Sequence, residues 1–182
     1  MTSPQTLSLA DRRLLAMWAA DCAERVLPLF GAEAPDDDRP RDAIARARAF
    51  AEGELTAADE IRRRMVAGRA AHSATGRAAM AAAHAAAQAA ACAHMGAHAL
   101  GAAGYAAKAA GLAAPSSPEA VDVEIRWQLA HLSSAGAAAV RRLPLLGESR
   151  SGPLGPGLLA RGVVGAAIRS IQSSIGAGHP AR

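Results

Sequence analysis

Aromatic residues are scarce: two tryptophans, one tyrosine and two phenylalanines in 182 residues. None of them interleaves with the basic residues, so the sequence lacks the stacking pattern of a nucleic-acid reader. Only two cysteines are present, Cys22 and Cys92, far apart and without a CxxC spacing. This excludes a disulfide scaffold or zinc motif and fits a reducing, cytoplasmic setting. The N-terminal stretch MTSPQTLSLADRR has no apolar signal core. Between Arg77 and Lys108 no residue carries a formal charge, yet the stretch is alanine and glycine interrupted by His84, Gln88, His94 and His98. Alanine contributes almost nothing to bilayer insertion and histidine opposes it, so no membrane helix is expected. GxSxG, the P-loop, HExxH, the EF-hand loop and a GxGxxG between strand and helix are all missing.

What the chain has is alanine, about fifty residues of it. Alanine is the strongest helix former and a poor strand former, so the fold class is all-α. We expect a compact bundle of about five to seven helices over residues 1–146, a Gly/Pro linker over 147–157 (GESRSGPLGPG), and a short basic C-terminal helix and tail over 158–182. Charge is divided unevenly. Residues 1–60 carry twelve acids and seven bases, whereas the remainder carries four acids and thirteen bases, all arginine except Lys108. Such asymmetry can mark a polyanion partner. The bases are scattered apart from Arg62-Arg63-Arg64, so solvated helix faces explain them and nucleic-acid binding is not expected.

Ser8, three residues before Asp11, is read as the cap of a first helix that Pro28 ends or kinks, with Leu14, Leu15, Trp18, Cys22, Val26 and Leu29 as its apolar stripe. A second helix runs from about Pro40 to Gly53, and Thr56 opens a third that carries the arginine triplet. Residues 77–113 form either one long helix or two, with Gly96, Gly101 and Gly104 inviting a bend. Ser117 and Pro118 are read as the cap and first residue of the next helix. Val164, Ile168, Ile171 and Ile175 fall at helical spacing, but their segment is short and flanked by glycines, so it is expected to be loose or weakly docked.

On a helical wheel Met80, His84, His94, His98, Gly101 and Tyr105 fall within about 120° of one another against bare alanine. His94 and His98, at i and i+4, can ligate one metal or share a carboxylate. With no third ligand and no HExxH acid, no metal is expected. Packing histidines held by hydrogen bonds are the plainer reading. Asp21 stands four residues before Arg25, the favourable order for a helical ion pair, and Arg48 lies about 40° from Ile44 and can turn inward. Glu24 is expected to be solvated, and Cys22 to be core rather than nucleophile. Candidate ligand-binding residues are therefore Asp21, Arg25, Arg48, His94, His98 and Tyr105, with His94, His98 and Tyr105 as the catalytic candidates.

Four runs carry a resemblance: WAADCAERVLPLF (Trp18–Phe30), Arg39-Pro-Arg41, ARAFAEGE (Ala47–Glu54) and AHMGAHALGAAGYAAKA (Ala93–Ala109). In this order they resemble the bacterial immunity proteins of the immunity protein five-like family, over roughly residues 8–145. The resemblance implies a compact helical domain, assigned by gene context to toxin neutralisation, with no known catalytic mechanism. The family's recurring polar residues fall on Asp21, Glu24, Arg25, Arg41, Arg48, His94, His98 and Tyr105. Its tryptophan in the ARAW motif is Phe50 here, and the chain from about 147 onward lies outside the pattern. The resulting expectation is an interaction protein, without cofactor or catalysis, that binds a cognate toxin. The alternative is a small enzyme or ligand-binding domain doing cofactor-independent acid–base chemistry on an anionic small molecule in a buried His/Arg/Asp/Tyr pocket.

Overall fold

In the computed structural model, which describes residues 3–63 and 66–178, the all-α expectation holds: the described residues contain nine α-helices, two 3₁₀ turns and no strand. The helices outnumber the five to seven expected in part because a corner at 92–97 divides the alanine segment in two. The Ser8 hydroxyl accepts the Asp11 N–H at 3.1 Å and starts α1 (Leu9–Gly31). Pro28 does not end α1; it sits in the last turn, where its missing N–H removes a single ladder bond. The second helix, α2 (Arg39–Glu52), stops at Gly53, which takes the left-handed conformation (φ 89°) that favours glycine. Next come α3 (Ala57–Arg63) and α4 (Val66–Ala70), and a 3₁₀ turn (Ala71–Ser73) leads into the centre of the molecule. The arginine triplet falls at the end of α3, with Arg64 outside the described residues.

The uncharged alanine segment is two helices, α5 (Arg77–Ala91) and α6 (His98–Ala113), joined by a corner at 92–97. Then follow α7 (Ala120–Ala130), α8 (Ser134–Arg141), a second 3₁₀ turn (Leu158–Ala160) and α9 (Gly162–Gly176). Ser117 does not cap α7: its carbonyl accepts the Ala120 N–H in one further turn, and Glu119 takes the cap position.

The helices α5 and α6 pack on each other and on α1, with α2 against α5 and α7 and α9 against α6. Their buried faces are methyl groups, so the bulk of the core comes from the surrounding helices: Leu15, Trp18 and Phe30 of α1, Ile44 and Phe50 of α2, Ile168 and Ile171 of α9. Each of these large side chains is worth about 1.5–3 kcal/mol when fully buried. The C-terminal helix is firmly docked, not loose. Val164, Ile168, Ile171 and Ile175 are all buried, and α9 comes so near α6 that a Cβ on Gly104 would lie 3.0 Å from Val164 Cγ1.

The linker is anchored too. Leu154 is fully buried, and its N–H donates to Gln5 Oε1 (2.9 Å) while Gln5 Nε2 donates to the Ser151 carbonyl (2.7 Å). The backbone carbonyls of Gln5 and Thr6 accept the N–H groups of Ala97 and Gly96, both at 3.1 Å, at the α5–α6 corner. One buried glutamine thus joins the N-terminal segment, the corner and the linker. Leu7, at φ 63°, turns the chain toward α1, and Gly96 leaves it room: a Cβ there would lie 2.8 Å from Leu7 Cδ1.

Glycine substitutions separate packing from propensity. A Cβ on Gly165 would stand 2.5 Å from the Ala160 carbonyl carbon, backbone that cannot rotate away, whereas nothing lies within 4 Å of the corresponding position on Gly31. Gly165→Ala is expected to cost about 1–3 kcal/mol in chemical denaturation. Gly31→Ala is expected to be neutral or stabilising by up to about 1 kcal/mol, through helix propensity.

Candidate functional site

The sequence-derived site residues form two separate groups. In the first, Arg48 of α2 reaches across to α1, Nη1 meeting Asp21 Oδ1 at 2.7 Å and Nη2 meeting Glu24 Oε2 at 2.5 Å. Partial burial works against the Arg48 charge, but the hydrogen bonds and charges of Asp21 and Glu24 outweigh it and hold the guanidinium proton more tightly than usual. Glu24 is therefore an ion-pair partner and not merely solvated. Asp21 does not pair with Arg25 as its spacing predicts. Arg25 turns to α7, where Nε meets the buried carboxylate of Glu124 at 3.0 Å and the guanidinium lies 4.0 Å over Trp127. Trp127 stacks on His131 at 3.9 Å.

Behind this pair, Gln128 donates from Nε2 to Glu124 Oε1 (3.2 Å) and to the Ala103 carbonyl (3.1 Å), and its own carbonyl accepts the indole N–H of Trp18 (2.8 Å). This network ties α1, α6 and α7 together. The spacing Glu124/Gln128 and Trp127/His131 was visible as i,i+4 pairs in the sequence, but nothing there pointed to the helix they would face. Beside the network an open groove of about 570 Å³ runs between α1, the end of α2 and the turn into α8, lined by Arg13, Leu14, Met17, Trp18, Asp21 and His131 among others.

The second group lies on the far side of α6. The corner at 92–97 breaks the helical wheel, so His94 sits in a turn and only His98 is on the helix. His98 Nδ1 is 2.8 Å from Gln88 Oε1 on α5. The amide oxygen can only accept, so Nδ1–H donates and the neutral ring keeps its lone pair on Nε2. Gly101 makes the bond possible, since a Cβ there would overlap Gln88 Oε1 and lie 3.0 Å from Leu159 Cδ1. Tyr105 packs its ring 5.1 Å from that of His84, with Lys108 Nζ 5.9 Å away. A cleft of about 430 Å³ opens here between His94, His98, Tyr105 and the linker residues Gly152 to Leu159.

Burial, and then the neighbouring charge of His94, push the His98 imidazole down to about 4. Burial, with Lys108 and His72, also lowers His84, and burial raises the Tyr105 phenol. His98 and Tyr105 therefore face the cleft as neutral groups at neutral pH. Both thiols are buried and pushed up, Cys22 by burial and the carboxylates of Glu124 and Asp21, Cys92 by burial. For Cys22 this matches the expectation of a core residue. Among the described residues no three His, Cys, Asp or Glu converge on a point that could hold a metal ion, and no helix is long and apolar enough to cross a membrane.

The two groups give two measurable consequences. Folded His98 titrates at about 4 and an unfolded imidazole near 6.5, so its stabilisation is complete above the upper value and lost as pH falls toward the lower one. The protein is expected to lose about 2 kcal/mol between pH 7 and pH 5 from this group. His84 acts in the same direction. Urea denaturation at both pH values checks it, with His98→Gln showing a flatter dependence. For the first group, Arg25→Ala strands the Glu124 carboxylate with Gln128 alone and is expected to cost about 1–3 kcal/mol. Adding Glu124→Gln is expected to recover part of that loss, because the unpaired buried charge is gone.

A family model described as "Imm-5 like putative immunity protein" matches residues 5–135. No curated protein and no solved structure matches the chain. The matched stretch holds α1 to α7, the Arg48 and Arg25 ion pairs, and the three residues His94, His98 and Tyr105; the linker and α9 lie beyond it. With well over half of its length matched, the chain belongs to the Imm-5 like immunity protein family.

Proposed function

We propose that the protein binds a cognate bacterial toxin and neutralises it by occlusion, without catalysing a reaction. The observation that carries this reading is the groove along α1. Its floor combines Leu14, Met17 and Trp18, and its margin carries Arg13, Asp21 and His131. An apolar centre with methionine and aromatic surface inside a polar rim is the composition of a protein–protein contact. Leu9 and Leu14 on α1 are exposed large apolar residues that extend it. Family membership supplies a toxin as the occupant.

Electrostatics add a smaller contribution. The acidic excess before residue 61 would steer a basic partner, but much of it is engaged within the fold. Asp37 is held by Arg39 at 2.8 Å and driven well below the usual carboxylate range, Asp38 stands 3.8 Å from Arg41, and buried Glu60 pairs with Arg46 at 2.5 Å. The triplet Asp36-Asp37-Asp38 is therefore a weaker lure than its sequence suggests. Acid–base catalysis draws little support from the histidine cleft, whose lining includes neither a carboxylate to orient His98 nor a thiol for it to activate.

Co-expression with the toxic product of an adjacent gene is the direct test. Wild-type protein should restore growth and co-elute with the toxin. Leu14→Asp, at an exposed groove position, and Met17→Glu, at a half-buried one, should weaken binding by about tenfold or more while leaving the melting temperature within a few degrees. If the wild type leaves growth arrested against every toxic neighbour, the proposal fails.

A further inference from the structure

The cleft beside α6 has features that toxin binding through α1 does not use. It is a small-molecule-sized concavity with convergent polar groups at one side and an apolar wall at the other. His94, His98 and Tyr105 supply the polar side; Met95, Pro153 and Leu159 supply the wall. The opposing wall comes from the linker, which Gln5 and the buried Leu154 hold in place. That wall lies outside the family match at 5–135, so one side of the open cleft is built by this chain's own C-terminal segment.

The chemistry of the lining selects the ligand. No carboxylate lines the cleft, and after residue 60 the chain carries thirteen bases against four acids. Both features favour an anion over a cation. No arginine or lysine lines it either, which disfavours a phosphate dianion that would call for a guanidinium fork or an ammonium. Two imidazoles and a phenol can donate to one carboxylate. With Nδ1–H of His98 held by Gln88, the ring takes its second proton on Nε2, and that proton becomes a further donor. We propose that this cleft binds a small organic monoanion with a compact apolar body, such as an aromatic or short-chain carboxylate, through His94, His98 and Tyr105.

Burial and the His94 charge keep the free His98 ring neutral at neutral pH. A bound carboxylate offsets both effects, so ligand and proton bind together and affinity rises as pH falls. The groups around His98 are Gln88 from α5, His94 from the corner, Tyr105 from α6 and the uncharged linker wall. None of them supplies a competing negative charge.

Benzoate is the probe, with benzamide as its neutral isostere and inorganic phosphate, mostly a monoanion near pH 5.5, as the anion without an apolar body. Tyr105 is the only tyrosine in the chain, so its ring resonances report occupancy directly by NMR, alongside the His98 ring signals. Benzoate should shift both saturably in the full-length protein, about tenfold more tightly near pH 5.5 than near pH 8. Benzamide and phosphate should each bind at least about tenfold more weakly than benzoate near pH 5.5. His98→Gln should abolish the pH dependence, and His94→Gln, at a half-buried position of the corner, should weaken benzoate where His98→Gln fails to fold. Equal binding of benzoate and benzamide would reduce the site to an apolar slot and overturn the proposal. So would tighter binding of phosphate than of benzoate, or no movement of Tyr105 at saturating benzoate.

Discussion

The narrow, methyl-covered faces of α5 and α6 are the constraint on which the rest depends. A helix whose surface is alanine presents low ridges, so its neighbours approach closely and there is little side-chain material to fill errors in spacing. The surrounding helices must therefore bring both the bulk and the specificity. Phe30, Phe50, Ile168 and Ile171 do the first. A few long polar side chains, reaching over the alanine layer to groups on other helices, do the second. Gln128 on α7 meets the Ala103 carbonyl of α6, and Gln88 on α5 meets His98. Glycines at 101 and 104 mark where even a methyl group would be too much.

That geometry decides how the arginines pair. A local Asp21–Arg25 bridge on the surface of α1 would be worth only about 0.3–0.5 kcal/mol. Glu124 is almost fully enclosed and has few other ways to be satisfied, so Arg25 serves it, with added stacking on Trp127. Asp21 is then available to Arg48, which also takes Glu24 and joins α2 to α1. Two cross-helix clamps replace one intrahelical pair. The penalty of leaving a buried carboxylate unpaired outweighs the convenience of a neighbour four residues away.

The sequence was most legible where local chemistry decides the outcome. Ser8 at the start of α1 and Gly53 at the end of α2 act as caps because hydroxyl reach and left-handed backbone are local properties. The burial of Cys22 followed from its stripe. The alanine content settled the class. What failed depended on partners distant in sequence. Glycines at 96, 101 and 104 all allow a bend, but the 92–97 corner is held by carbonyls of Gln5 and Thr6, so nothing within the segment selects Gly96, and His94 left the helical face on which the wheel had placed it. The helix α9 looked too short and glycine-flanked to dock, yet its four aliphatic residues are buried, Val164 and Ile168 of them against Gly104 of α6, a surface that only the assembled bundle displays. The division of the six candidate residues into two groups is set by contacts between helices, which spacing along the chain does not reveal.

Gln5 bears on how such a chain can acquire its structure. Its side-chain amide bonds to backbone 146 and 149 residues further along, close to the largest separations this length allows. During synthesis the N-terminal segment emerges long before its partners, and the closure entropy of that loop must be met by the rest of the bundle. The histidine cleft, with its far wall supplied by the same linker, shares that dependence on a long-range closure. A bundle halted short of this step can be helical, with α1 and α2 already joined by Arg48, while its second concavity stands open to solvent along one side.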